Sequence, residues 1–185
     1  MPGEGLEPAA TTSSFRREQR GVAIGMGAAL GIAVIALGLA VWAGKGTAVD
    51  PFAERLQWTL RADGFVVIWL VATVANVARQ RFFSEQDIAG SGSTDASDRV
   101  RMASAITQNS LEQTVIAIGA HLVVTATFDA SQTIVATLVA LFCLGRLLFW
   151  AGYSRGAHGR ALGFALTFYP SVLALVASLG ALTFT

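Results

Sequence analysis

Residues 21–44 read GVAIGMGAALGIAVIALGLAVWAG, an uncharged run that begins directly after Arg16, Arg17 and Arg20. An α-helix rises ~1.5 Å per residue, so ~20 apolar residues cross a ~30 Å hydrocarbon core, and this run is longer than that. A cleaved leader also starts with basic residues, but its apolar stretch is only about 7–15 residues long and ends at a small-x-small site. Neither feature fits here, so the run is expected to remain as a membrane anchor. The same pattern recurs along the chain, and the implied fold is an all-α, polytopic membrane protein.

Ahead of the anchor, residues 1–20 read as a disordered tail: Met1 to Thr12 are Gly, Pro, Glu, Ala and Thr without periodicity. Behind it, Lys45, Asp50 and Pro51 lead into a second helix whose uncharged core runs from Gly64 to Ala78. Leu56, Trp58 and Leu60 extend that core, with Arg61 and Asp63 expected to snorkel to the interface. Arg79 and Arg81 close the helix, and the Ser/Gly/Asp-rich stretch from Ser84 to Asp98 reads as a solvated loop. A third helix, polar in its first half, begins near Arg99 or Arg101 and ends at Phe128. After a tight turn, a fourth runs from Thr133 to about Tyr153, and a fifth from Ala161 to Thr183 with a kink expected at Pro170.

Composition agrees with this reading. Of 185 residues, 54% are hydrophobic and 14% charged, against roughly 25% charged in an ordinary soluble domain. The mean hydropathy is +0.58. The formal charge of +1 gives no reason to expect a nucleic-acid partner, and the single cysteine, Cys143, excludes an intrachain disulfide and a cysteine metal cluster. No metal site is expected. With the N-terminus in the cytoplasm, only Lys45, Arg55 and Arg61 among the basic residues fall on the outer side. The expectation is therefore five spans, N-terminus inside, in the cell (inner) membrane, with lipids as the surrounding partner.

Polar groups inside spans are costly and draw attention first. Counting back from Phe128 puts Glu112 about a turn below the cytoplasmic interface, and counting forward to Tyr153 puts Arg146 at a similar depth. Asn76 lies at that level, and Arg160 opens the last helix beside it. Arg101, Gln108, Asn109 and Glu112 share an arc of about 100° on the third helix, while Arg146 and Tyr153 share a face of the fourth. Such a layer has cations to hold carboxylates and a carboxylate to hold an amine. It also fits interhelical glue, with Glu112 paired to Arg146. His121 lies deeper and reads as a hydrogen-bonded interhelical histidine. Trp42, Trp58 and Trp150 suit an aromatic belt, and Gly27 with Gly31 forms a GxxxG pair.

Three stretches carry a resemblance. Gln108-Asn109-Ser110-Leu111-Glu112-Gln113 is similar to the Asn-x-x-Glu helix signature of the MAPEG family, the membrane-associated proteins in eicosanoid and glutathione metabolism. So is Gly145 to Tyr153, with Arg146 followed seven residues later by Tyr153, and so is Arg160 to Phe164 running on to Tyr169 and Pro170. The resemblance implies a four-helix membrane domain over residues 52–185, with residues 21–44 an additional N-terminal helix. It further implies a homotrimer that binds glutathione between subunits near the cytoplasmic face. Asn109, Glu112, Arg146 and Tyr153 would line the site with Gln108 and Asn76 near them, and Arg160 would stabilise the thiolate. The implied chemistry is transferase- or peroxidase-like attack of glutathione, or a similar thiol, on a lipophilic electrophile or hydroperoxide. Ala105, Thr107, Gln108 and Phe164 stand where many members carry Arg, His or Tyr, which points to a divergent, bacterial branch. A non-catalytic scaffold or binding protein on the same fold is the alternative.

Overall fold

The computed structural model describes residues 7–47, 49–90 and 96–183. They form five helices: α1 Glu7–Ala43, α2 Phe52–Phe82, α3 Asp98–Thr127, α4 Ser131–Gly152 and α5 Gly156–Thr183, with a 3₁₀ turn at Tyr153–Arg155. No strand occurs among the described residues. Three segments, Ser14–Ala43, Phe52–Phe82 and Ser131–Thr183, are long and apolar enough to cross a membrane. The last contains both α4 and α5, folded back on each other at the 3₁₀ turn. The more polar α3 is not one of these segments, and it packs against α2, α4 and α5.

Helix α1 starts at Glu7, so much of the stretch expected as a disordered tail is helical backbone; residues 1–6 lie outside the described residues. Extending an existing helix adds hydrogen bonds without a new nucleation cost. Pro8 sits in the first turn, where its missing N–H has no intrahelical acceptor in any case. The packing face of α1 is Gly21, Gly25, Ala29 and Ala33, spaced four apart. A Cβ on Gly21 would lie 2.8 Å from His158 Cβ, and one on Gly25 would lie 3.1 Å from Leu162 N. Gly27 and Gly31 have open space instead, so that GxxxG pair does not join helices within the chain.

Helices α4 and α5 meet at backbone contact. A Cβ on Gly152 would lie 2.0 Å from Gly159 O, and one on Gly163 would lie 2.2 Å from Phe149 N. On Gly145 it would meet Thr167 Cγ2 at 2.6 Å. Gly156, at φ 85°, turns the chain from the 3₁₀ turn into α5 through a region that side-chain-bearing residues rarely adopt. Beyond that, α5 runs uninterrupted through the expected kink position, Pro170.

Helices α2 and α3 are joined by a polar seam. Asp63 does not snorkel: it is 4% exposed, and its Oδ1 accepts a hydrogen bond from His121 Nδ1 at 2.5 Å. The apolar neighbours on either side leave a carboxylate at this position no water to reach, so it pairs across the interface. One helical turn away the Thr59 and Thr125 hydroxyls are 2.8 Å apart. A further turn along, Arg55 donates to the carbonyls of Thr125 (3.0 Å) and Phe128 (2.5 Å). Arg55 is thus buried at the C-terminus of α3, where a cation satisfies free carbonyls and opposes the helix dipole. His121 is the interhelical histidine its sequence position suggested, with Asp63 as its partner.

The described residues of the stretch before α3 are tied to that helix. Asp87 is buried, and it accepts hydrogen bonds from Ser84 Oγ (2.6 Å) and Ser97 N (3.0 Å), while Ser97 caps α3 by accepting from Val100 N.

Gly163→Ala should force α4 and α5 apart and cost about 1–3 kcal/mol, read as a lower thermal unfolding midpoint in detergent. The hydrogen bonds from Ser84 and Ser97 hold the Asp87 carboxyl below its ordinary value. Its contribution is therefore complete above the unfolded carboxylate pKa and is lost as pH falls through the lower folded value. Hydrogen exchange at the Ser97 amide should accelerate over that acidic window relative to intrinsic exchange, and Asp87→Ala should abolish the pH dependence.

Candidate functional site

Arg146 is the centre of the polar layer. It is 2% exposed, donating from Nη1 to Asn109 Oδ1 at 2.9 Å and from Nη2 to Thr167 Oγ1 at 2.7 Å. Its guanidinium lies over the Phe149 ring, 4.5 Å from the centroid. One guanidinium thereby links α3, α4 and α5. Its Nε has no partner and is buried, leaving one N–H of a strong cation unsatisfied.

Asn109, oriented by Arg146, faces a cleft of about 350 Å³ that Tyr153 and Arg160 also line. The Arg160 guanidinium stands 4.6 Å from the centre of the Tyr153 ring, and Tyr153 in turn meets Phe149 edge-on, ring centres 5.3 Å apart. The tight glycine contacts between α4 and α5 set this geometry, because they bring the end of one helix beside the start of the next. The cleft's other walls are apolar: Phe149, Ala161 and Phe164, with Val22 and Met26 from α1.

The remaining predicted residues are placed elsewhere. Gln108 and Glu112 hydrogen-bond to each other at 3.0 Å on the exposed face of α3. The Glu112–Arg146 pair of the glue reading does not form: Arg146 meets Asn109 and Thr167 instead, because Glu112 lies about 60° around the helix from Asn109. Asn76 accepts from Arg79 at 3.0 Å and lines a second cleft, about 250 Å³, that reaches Tyr153 from the α2 side. The structure thus brings together Asn109, Arg146, Tyr153 and Arg160, sets Gln108 and Glu112 apart from them, and lets Asn76 meet the group only across the second cleft at Tyr153. Thr167 and Phe149 were missed in the sequence. A threonine and an aromatic in apolar helices are ordinary there, and only the four-residue step from Gly163 to Thr167 hinted at a shared face.

The described chain is therefore an integral, multi-pass helical membrane protein with a cationic, half-apolar cleft at one end of its bundle. Residues 59–180 match the model of the MAPEG family, and the chain belongs to that family. Comparison with curated proteins and with solved structures finds no match. The match covers α2 to α5 almost completely and stops short of α1. Membership makes this a membrane protein related to eicosanoid and glutathione metabolism, on a fold consisting of that family's four-helix bundle and one additional N-terminal helix.

Thr167→Val should strip Arg146 of an acceptor and destabilise the bundle by about 1–3 kcal/mol. Thermal unfolding of purified protein measures it, and Thr167→Ser should restore most of the loss.

Proposed function

We propose that this chain is a glutathione-dependent membrane enzyme of transferase or peroxidase type, directing a thiolate at a lipophilic electrophile or hydroperoxide. The observation that carries the reading is the cleft in which Arg160, Tyr153 and an Arg146-oriented Asn109 converge. A cation beside sulfur favours thiolate over thiol and raises the nucleophilic fraction at neutral pH. In this reading Arg160 is the catalytic group, Tyr153 holds its guanidinium in place, and Asn109 offers an amide to the tripeptide. Toward an electrophile the sulfur pair forms a new C–S bond while a leaving group departs with its own pair, or while a conjugated alkene takes up the displaced pair and a proton. Toward a hydroperoxide it takes the distal oxygen, and a second thiol completes reduction to alcohol, water and disulfide.

The reading extends to assembly and orientation. Glu112 and Gln108 project outward from α3 beside exposed Leu111 and Val115, and a carboxylate so placed within a membrane bundle calls for a polar partner. A homotrimer would supply one, and would carry Glu112 to the ammonium group of glutathione in a site shared between subunits. The distribution of basic residues favours a cytoplasmic N-terminus in the cell (inner) membrane.

One observation favours the alternative, a non-catalytic scaffold: Arg146 finds two of its partners inside the bundle, as structural glue would. Arg160 separates the two. Isothermal titration with millimolar glutathione should show saturable binding. Arg160→Ala should lower thiol conjugation about a hundredfold while leaving the oligomer seen by light scattering intact. Absent glutathione binding, or a native protein without thiol conjugation whose oligomer collapses in Arg160→Ala, would favour the scaffold.

A further inference from the structure

Helix α1 lies wholly outside the family match, yet it supplies part of the cleft. Its Val22 and Met26 face the same space as Asn109, Tyr153 and Arg160. Their position is held from both directions. Glu18, one turn before Val22, accepts from His158 N and pairs with His158 Nδ1, both at 3.1 Å. Gly21 and Gly25, each one residue before a cleft residue, sit close to α5 at His158 and Leu162. No larger residue at these two positions would let α1 come so near the start of α5, the helix that carries Arg160.

We infer that α1 is the selectivity wall of the site: Val22 and Met26 set the length and girth of the apolar group that can lie beside the thiol. The inference rests on the thiol site proposed above and identifies its second substrate by chemistry. The polar groups stand at one side of the cleft, and Val22, Met26, Phe149 and Phe164 form its apolar remainder. A volume of about 350 Å³ lies at the lower end of the ~300–1,000 Å³ usual for ligand sites. The substrate class is a compact electrophile, with a short alkyl or single-ring aryl group, such as a short-chain 2-alkenal. Its β-carbon forms the C–S bond, the alkene pair shifts to the carbonyl oxygen, and a proton from water completes the adduct, with nothing leaving. A residue at Met26 smaller than methionine lengthens the pocket, and one at Val22 larger than valine shortens it.

The test uses the full chain in lipid nanodiscs and two probe series of increasing chain length, S-alkylglutathiones and n-alkylsulfonates, titrated calorimetrically. The sulfonates offer Arg160 an anion without requiring a glutathione site. In the native protein affinity should rise roughly fourfold per methylene up to a cut-off length and then level. Met26→Ala should move the cut-off two or three carbons longer, and Val22→Trp should move it shorter, with the ratio of S-hexylglutathione to glutathione affinity changing at least tenfold between the two variants. Glutathione binding with one cut-off common to all three proteins overturns the wall and spares the thiol site. A cut-off that shifts for the sulfonates without any glutathione binding overturns the thiol site and spares the wall. No chain-length dependence in either series, or no binding of either, overturns the wall. Should Val22→Trp fail to insert, Met26→Ala with Met26→Phe makes the same comparison at one position.

Discussion

Between α4 and α5 there are places where nothing but hydrogen separates two backbones, and most of the site follows from that approach. In lipid the hydrophobic effect does not drive one apolar helix onto another, so association depends on close van der Waals contact, which small residues permit. Gly145, Gly152, Gly159 and Gly163 provide it, with added Cβ atoms meeting the facing helix at 2.0 to 2.7 Å. With the two helices so close, the end of α4 and the beginning of α5 cannot shift independently, and Tyr153 and Arg160 share one rim.

Close approach also makes the buried arginine tolerable. A guanidinium removed from water needs partners at fixed positions, and Arg146 finds them on α3 and α5 because both helices are within reach of α4. The Phe149 face adds an electrostatic contact that a desolvated cation feels strongly. A similar economy governs the opposite half of the bundle, where Asp63 and His121, Thr59 and Thr125, and Arg55 with the α3 carbonyls succeed one another at helical spacing. Two polar regions, one joining α3, α4 and α5 and the other α2 and α3, thus hold the four bundle helices in register. The one around Arg146 opens, through Asn109, into the cleft that Tyr153 and Arg160 line.

Much of the architecture was legible because lipid imposes length and polarity on every span. The run 21–44 reads as a membrane helix from composition alone, and the boundaries of α2, α3 and α4 fall within a few residues of where charge and proline place them. Depth was legible in part: counting ~1.5 Å per residue brought Glu112, Arg146 and Asn76 to one level with Arg160 beside it, and of these the structure gathers Arg146 and Arg160, with Asn109 and Tyr153. Rotation was less legible. Gln108 and Glu112 share that level but point outward, since an arc of 100° is wide enough to include both the inner and the outer side of a helix. Asp63 was misjudged for the same reason, because distance from an interface does not say which way a carboxylate faces.

The sequence by itself determined the class of protein, the number and order of its helices, and the layer in which its chemistry-bearing residues lie, because each depends on local length, hydropathy and spacing. Only the tertiary structure decided which groups in that layer meet. Partnership across helices depends on their relative rotation and separation, which are set by interlocking small residues distant in the chain. The anchor at residues 21–44 illustrates both. Its composition sufficed to place it in the membrane, whereas only the contact of Gly21 and Gly25 with α5 put Val22 and Met26 at the cleft.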